Sequence, residues 1–86
     1  MSHSQKPSIG RIVHVPMPPA ANNGSDTAAA VITRVDEDEE TINVRIFADS
    51  TASPQEWRTS LTYTDELAYD PDDTTSLYRW TWPPRA

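Results

Sequence analysis

Residues 41–48 alternate strictly, with Ile42, Val44 and Ile46 on one face and Asn43, Arg45 and Phe47 on the other. A period of two is that of a strand with one face buried. Residues 28–35 alternate in the same way, Val31, Thr33 and Val35 against Ala30, Ile32 and Arg34. The link between them, residues 36–40, is uninterrupted acid of hairpin length. Like charges in a row cannot be buried together, so this tip must be solvated. A β-meander through these two strands is therefore the first prediction.

Residues 8–15 predict an earlier strand, because β-branched side chains suit a pleated surface better than a helix. Ile9, Arg11, Val13 and Val15 share one face and Gly10, Ile12 and His14 the other, which predicts some cover on both sides. Gly10 marks a bulge or a sharp bend. Residues 16–27, bounded by Pro16 and carrying Asn22-Asn23-Gly24, form a loop of about a dozen residues, a length at which loops are functional or disordered. Residues 54–58 read as a helical turn, with Ser53 as N-cap and Pro54 at the first helical position. Residues 61–64 read as a short strand, residues 65–69 as either a turn of helix or extended chain, and residues 70–73 as a turn. Residues 77–82 complete the strands, with Tyr78, Trp80 and Trp82 on one face.

The sum is an all-β domain over residues 8–86 preceded by a polar arm, residues 1–7. About five short strands suit a small SH3-like, partly open barrel, with a compact β-sandwich as the alternative. With one Phe and no Cys among 86 residues, the closing tryptophans are needed for the core. They are read as core with one reachable edge, against the alternative of an exposed platform.

Composition narrows the function. Thirteen acidic against seven basic residues give a net charge of -6, which disfavours attraction to nucleic-acid phosphate or an anionic membrane. The absence of cysteine removes disulfides and thiolate metal sites. No apolar run reaches the length of a membrane span, and the first residues lack the apolar core of a secretory signal. Two glycines cannot build a phosphate-cradling loop. No serine sits in a nucleophile elbow, and His14 is read as a hydrogen-bonded strand histidine rather than a base. From Asp70, the sixth and twelfth positions of a calcium loop would be Thr75 and Thr81, where glycine and glutamate are required, so that match fails. No enzyme, metal or cofactor is implied.

Binding chemistry is better represented. Arg11, Arg34, Arg45 and Arg79 all fall in predicted strands and could present guanidinium groups to an anion from one face. The alternative is cross-strand pairing with the surplus carboxylates. The candidate partner-binding residues are Arg11, His14, Arg34, Arg45, Arg79, Trp80 and Trp82. They predict a protein partner, or a small anionic ligand as a variant, and leave homo-oligomerisation open.

Three collinear segments resemble a family of small tailed-phage and prophage proteins. They are Pro7-Ser8-Ile9-Gly10-Arg11-Ile12-Val13-His14-Val15, Ala29-Ala30-Val31-Ile32-Thr33-Arg34-Val35 and Trp80-Thr81-Trp82-Pro83. That family resembles Pro-x-x-Gly-Arg-Ile-Val-His near the start and Trp-His-Trp-Pro at the end. Thr81 stands where it usually has histidine, and Pro84 where an acidic residue is common. The resemblance implies a phage origin and a place in the infected bacterial cytoplasm or the virion. It supplies no activity. The expectation is a non-catalytic binding module engaging a host or phage protein, with a virion structural protein, a capsid decoration or tail-associated component, as the alternative.

Overall fold

The computed structural model describes residues 5–50 and 56–84. Five strands lie in sequence order in one sheet: β1 (Ile12–Pro16), β2 (Thr27–Val35), β3 (Ile42–Phe47), β4 (Glu56–Tyr63) and β5 (Arg79–Trp80). The first four form an antiparallel meander and β5 joins β4 in parallel. Just past β5, His14 and Thr81 exchange backbone hydrogen bonds of 2.9 and 3.0 Å, which returns the end of the chain to β1. The protein is an all-β, small, partly open barrel. Two short 3₁₀ turns, Pro19–Ala21 and Thr74–Tyr78, complete it.

The alternation of β2 and β3 decides which side chains face inward. Val13 and Val15 of β1, Ala30 and Ile32 of β2, Ile42, Val44 and Ile46 of β3, and Leu61 of β4 are all at most 1% exposed. Two irregularities curl this sheet. Two residues of β2 (from Ile32 to Arg34) span one step of β3, leaving Thr33 as an extra residue. Three residues of β4 (from Arg58 to Leu61) span two steps of β3. Such bulges bend the strand and sharpen its twist, which closes a small sheet into a barrel. The Asn43 carboxamide fills the second gap, accepting from the Ser60 amide at 3.0 Å and the Thr59 hydroxyl at 2.8 Å.

Three local expectations are corrected. Glu56, Trp57 and Arg58 belong to β4 and not to a helical turn, because pairing to Ile46, Arg45 and Val44 of β3 outweighs the local preference; Ser53 and Pro54 lie outside the described residues. The first strand begins at Ile12, since Gly10, at φ 94°, forms a turn closed by the Arg11 amide on the Ser8 carbonyl. Ile12 is 47% exposed, so the outer side of β1 is uncovered at its start, while His14 is half-buried and Pro16 buried. The closing strand is two residues long, because residues 74–78 coil into a 3₁₀ turn capped by Asp73. Tyr78 therefore leaves the face of Trp80 and is exposed.

The barrel stays open along one stretch, between the start of β4 and the end of β1. His14 turns its backbone groups toward Thr81, away from β2. By the antiparallel alternation Pro16, two residues on, points its carbonyl the same way, into the gap. Arg58 fills it from β4. Its guanidinium donates to the Pro16 carbonyl at 2.9 Å and the Leu77 carbonyl at 2.8 Å, and pairs with Glu56 at 3.0 Å. At 6% exposure this arginine is part of the interior. Proline suits the position, since no N–H is left facing the gap.

Candidate outer-face docking site

The same alternation that buries one side of the sheet places a defined set of residues on the other. Register connects Ile12 to Val31, Val31 to Arg45, and Arg45 to Trp57 across four strands. One step along, His14 opposes Ala29 and Ala29 opposes Phe47. Ile12, Phe47 and Trp57 are 47%, 43% and 53% exposed, three of the five large apolar side chains that are exposed among the described residues. Phe47 and Trp57 lie on adjoining strands beside Arg45, and Ile12 lies two strands away from Arg45 across Val31. Arg34, opposite Asn43, extends the face toward the acidic hairpin. Scattered exposed apolar residues need no explanation, but a contiguous patch marks an interaction surface.

The predicted binding residues distribute unevenly over this frame. Arg34, Arg45 and His14 lie on the outer face of β1–β3. Arg79 is exposed on β5, donating to the Thr62 hydroxyl at 2.8 Å. Arg11 sits just before β1 with its guanidinium 4.9 Å from the Trp82 ring centroid, and donates to Gln5 at 2.7 Å. The four strand arginines therefore do not form a single anion-binding face. No strand carboxylate is available to them either, because β1, β2 and β3 contain no Asp or Glu and Glu56 of β4 pairs with Arg58.

Trp80 cannot contact a ligand, being wholly buried; its indole N–H donates to the Glu40 carbonyl at 2.9 Å. That bond ties the acidic hairpin to the core. Tyr63 and Trp82 meet Trp80 edge-on, with centroids 5.0 and 5.2 Å away, so the aromatic row is core at the barrel's end. Burial, followed by the neighbouring Asp65, raises the Tyr63 phenol above its ordinary value. Trp82 is half-buried, and its indole N–H is enclosed without an acceptor among the described residues.

The 16–27 loop is pinned. Asn22, 2% exposed, donates to the Ser25 and Thr27 carbonyls at 2.9 and 3.0 Å and accepts from the Asp49 amide at 2.6 Å. Beside it an open cleft of about 640 Å³ is lined by Ala20, Asn23, Ala48, Asp49 and Ser50. Its one carboxylate, Asp49, already accepts from Asn23 at 3.2 Å. The hairpin tip is organised by Asp38, which accepts from the Glu40 and Thr41 amides at 2.9 and 2.8 Å. The Thr41 hydroxyl and these amides hold its carboxyl below the usual range. Asp73 is lowered in the same manner by the Thr75 hydroxyl and amide. Lys6 pairs with Glu39 at 2.7 Å. Among the described residues no three His, Cys, Asp or Glu side chains converge to hold a metal, and no helix is long and apolar enough to cross a membrane.

Phe47 and Trp57, the two largest side chains of the outer face, were not among the predicted site residues. The signal for Phe47 was present in the alternation of residues 42–47, which groups it with Asn43 and Arg45 opposite the buried Ile42, Val44 and Ile46. For Trp57 no local signal existed, because its orientation follows from pairing with Arg45. Comparison with family models, curated proteins and solved structures finds no match.

Proposed function

We propose that this protein is a non-catalytic binding module that engages a host or phage protein through the outer face of β1–β4. The observation that carries this reading is the exposed Phe47 and Trp57 beside Arg45 on adjoining strands of a barrel whose interior is already filled. Trp, Phe and Arg are the residue types that anchor protein interfaces, since each supplies large contact area with few rotatable bonds or a fixed donor geometry. A protein partner thus accounts for side chains that folding does not need. The phage setting rests on the three collinear segments at residues 7–15, 29–35 and 80–83.

The test is comparative capture from host and infected-cell extracts, using the wild type, Trp57→Ser and Asp72→Ser as baits. The reading predicts one discrete protein retained by the wild type and Asp72→Ser and lost with Trp57→Ser. Capture indifferent to Trp57→Ser would remove the outer face from the account.

A further inference from the structure

We propose that the outer face takes an acidic protein segment with aromatic or aliphatic anchors, an inference that rests on the docking role just given to that face. The argument is one of charge segregation. All thirteen acidic residues lie outside the strands except Glu56, and Glu56 is committed to Arg58. Of the strands that build the face, β1–β3 carry Arg34, Arg45 and His14 with no carboxylate between them. A chain of net charge -6 therefore presents one surface that is apolar and cationic.

Arg45 decides the chemistry of what can cover that surface. It stands between Val31 and Trp57 in the cross-strand row. A purely apolar partner would bury its guanidinium unpaired, which is strongly unfavourable. A complementary partner must bring an acceptor to Arg45 while its apolar groups cover Phe47 and Trp57. A carboxylate between apolar anchors does both, and can accept two N–H bonds from the guanidinium.

Two other occupants fit less well. A second copy of this chain would lay the same cationic face against itself, bringing Arg45 to a surface whose β1–β3 strands hold no carboxylate. A nucleic-acid strand would satisfy Arg45 and could stack on Trp57 and Phe47. It would also run a line of phosphates past the acidic hairpin, residues 36–40, which adjoins Arg34. A peptide can place its few negative charges over Arg45 and Arg34 alone.

The test is selection from a random displayed peptide library on the wild type, Arg45→Glu and Trp57→Ser, followed by titration of synthetic peptides from the enriched set. The wild type is expected to enrich sequences with Asp or Glu between aromatic or aliphatic residues. Their affinity should fall about tenfold or more in Arg45→Glu and weaken with added salt. Phe47→Ser replaces Trp57→Ser should the latter fail to fold. Enriched peptides that require Trp57 but lack acidic residues, or that bind Arg45→Glu unchanged, overturn the acidic partner and leave the docking face standing. Selection that enriches nothing, or that ignores Trp57→Ser, overturns both. Tighter binding of a single-stranded oligonucleotide, or dimerisation abolished by Trp57→Ser, overturns this inference in favour of those occupants.

Discussion

Replacing Arg58 by methionine tests how the open stretch of the barrel is held. Methionine keeps most of the stem volume and removes the guanidinium, so the loss is mainly one of hydrogen bonding. The Pro16 and Leu77 carbonyls then lose their donor, the first in a buried setting and the second in a half-buried one. A stranded buried acceptor costs about 1–3 kcal/mol, which puts the pair at about 2–5 kcal/mol. Glu56 adds little, because its side chain is 48% exposed and returns to water. Apolar replacement of buried ion pairs is often neutral, but only when every polar partner is replaced as well. Here two partners are backbone carbonyls and must remain. A domain of this length has about 4–13 kcal/mol of stability in all, so Arg58→Met should unfold at a markedly lower urea concentration. Glu56→Gln should cost less than about 1 kcal/mol. Urea titration followed by tryptophan emission measures both, with buried Trp80 as reporter. Arg58→Met within about 0.5 kcal/mol of the wild type would refute the reasoning, as would Glu56→Gln matching its loss.

Other consequences follow from the same contacts. Asn22→Ala removes three hydrogen bonds from a 2% exposed site and should cost about 1–3 kcal/mol, with faster amide exchange at Asp49, whose N–H loses its acceptor. Asp38 and Asp73 have lowered folded-state values, so their contribution is present above the ordinary carboxylate value of 3.8 and is lost as pH falls through the folded value. Melting temperature measured down an acid series should drop there, and the drop should flatten in Asp38→Asn and Asp73→Asn; an unchanged profile would contradict the assignment. Trp57→Ser and Arg45→Glu, both exposed, should leave stability within about 0.5 kcal/mol while abolishing partner capture. A large loss of stability in either would make the outer face structural.

The parts of the fold that were legible in the sequence are those where side-chain period and burial coincide. In β3 the inward Ile42, Val44 and Ile46 and the outward Asn43, Arg45 and Phe47 appear in the alternation alone. β4 inverts the rule, with an arginine buried and a tryptophan exposed, so the sequence pattern showed its end, at residues 61–63, but not residues 56–60. Burial of Arg58 is a property of the gap between β1 and β4, and the gap exists only once the barrel has formed. The same holds for the closing segment, where the 3₁₀ turn capped by Asp73 takes in Leu77 and Tyr78, which the sequence pattern assigns to the strand. The candidate site divides along that line. Arg34, Arg45 and His14 were identified because they alternate on predicted strands. Trp80 was identified and proved to be core, because its indole lies inside the barrel end against Tyr63 and Trp82. Trp57 emerges only from its register with Arg45.

Site-specific photo-crosslinking inside host cells addresses the central claim most directly. Benzoylphenylalanine in place of Trp57 or Phe47 samples the outer face, and the same group in place of Asp72 samples an exposed loop outside it. The account predicts one discrete protein adduct from the first two positions and none from the third. Identical adduct patterns at all three positions, or an adduct from Asp72 alone, would contradict it.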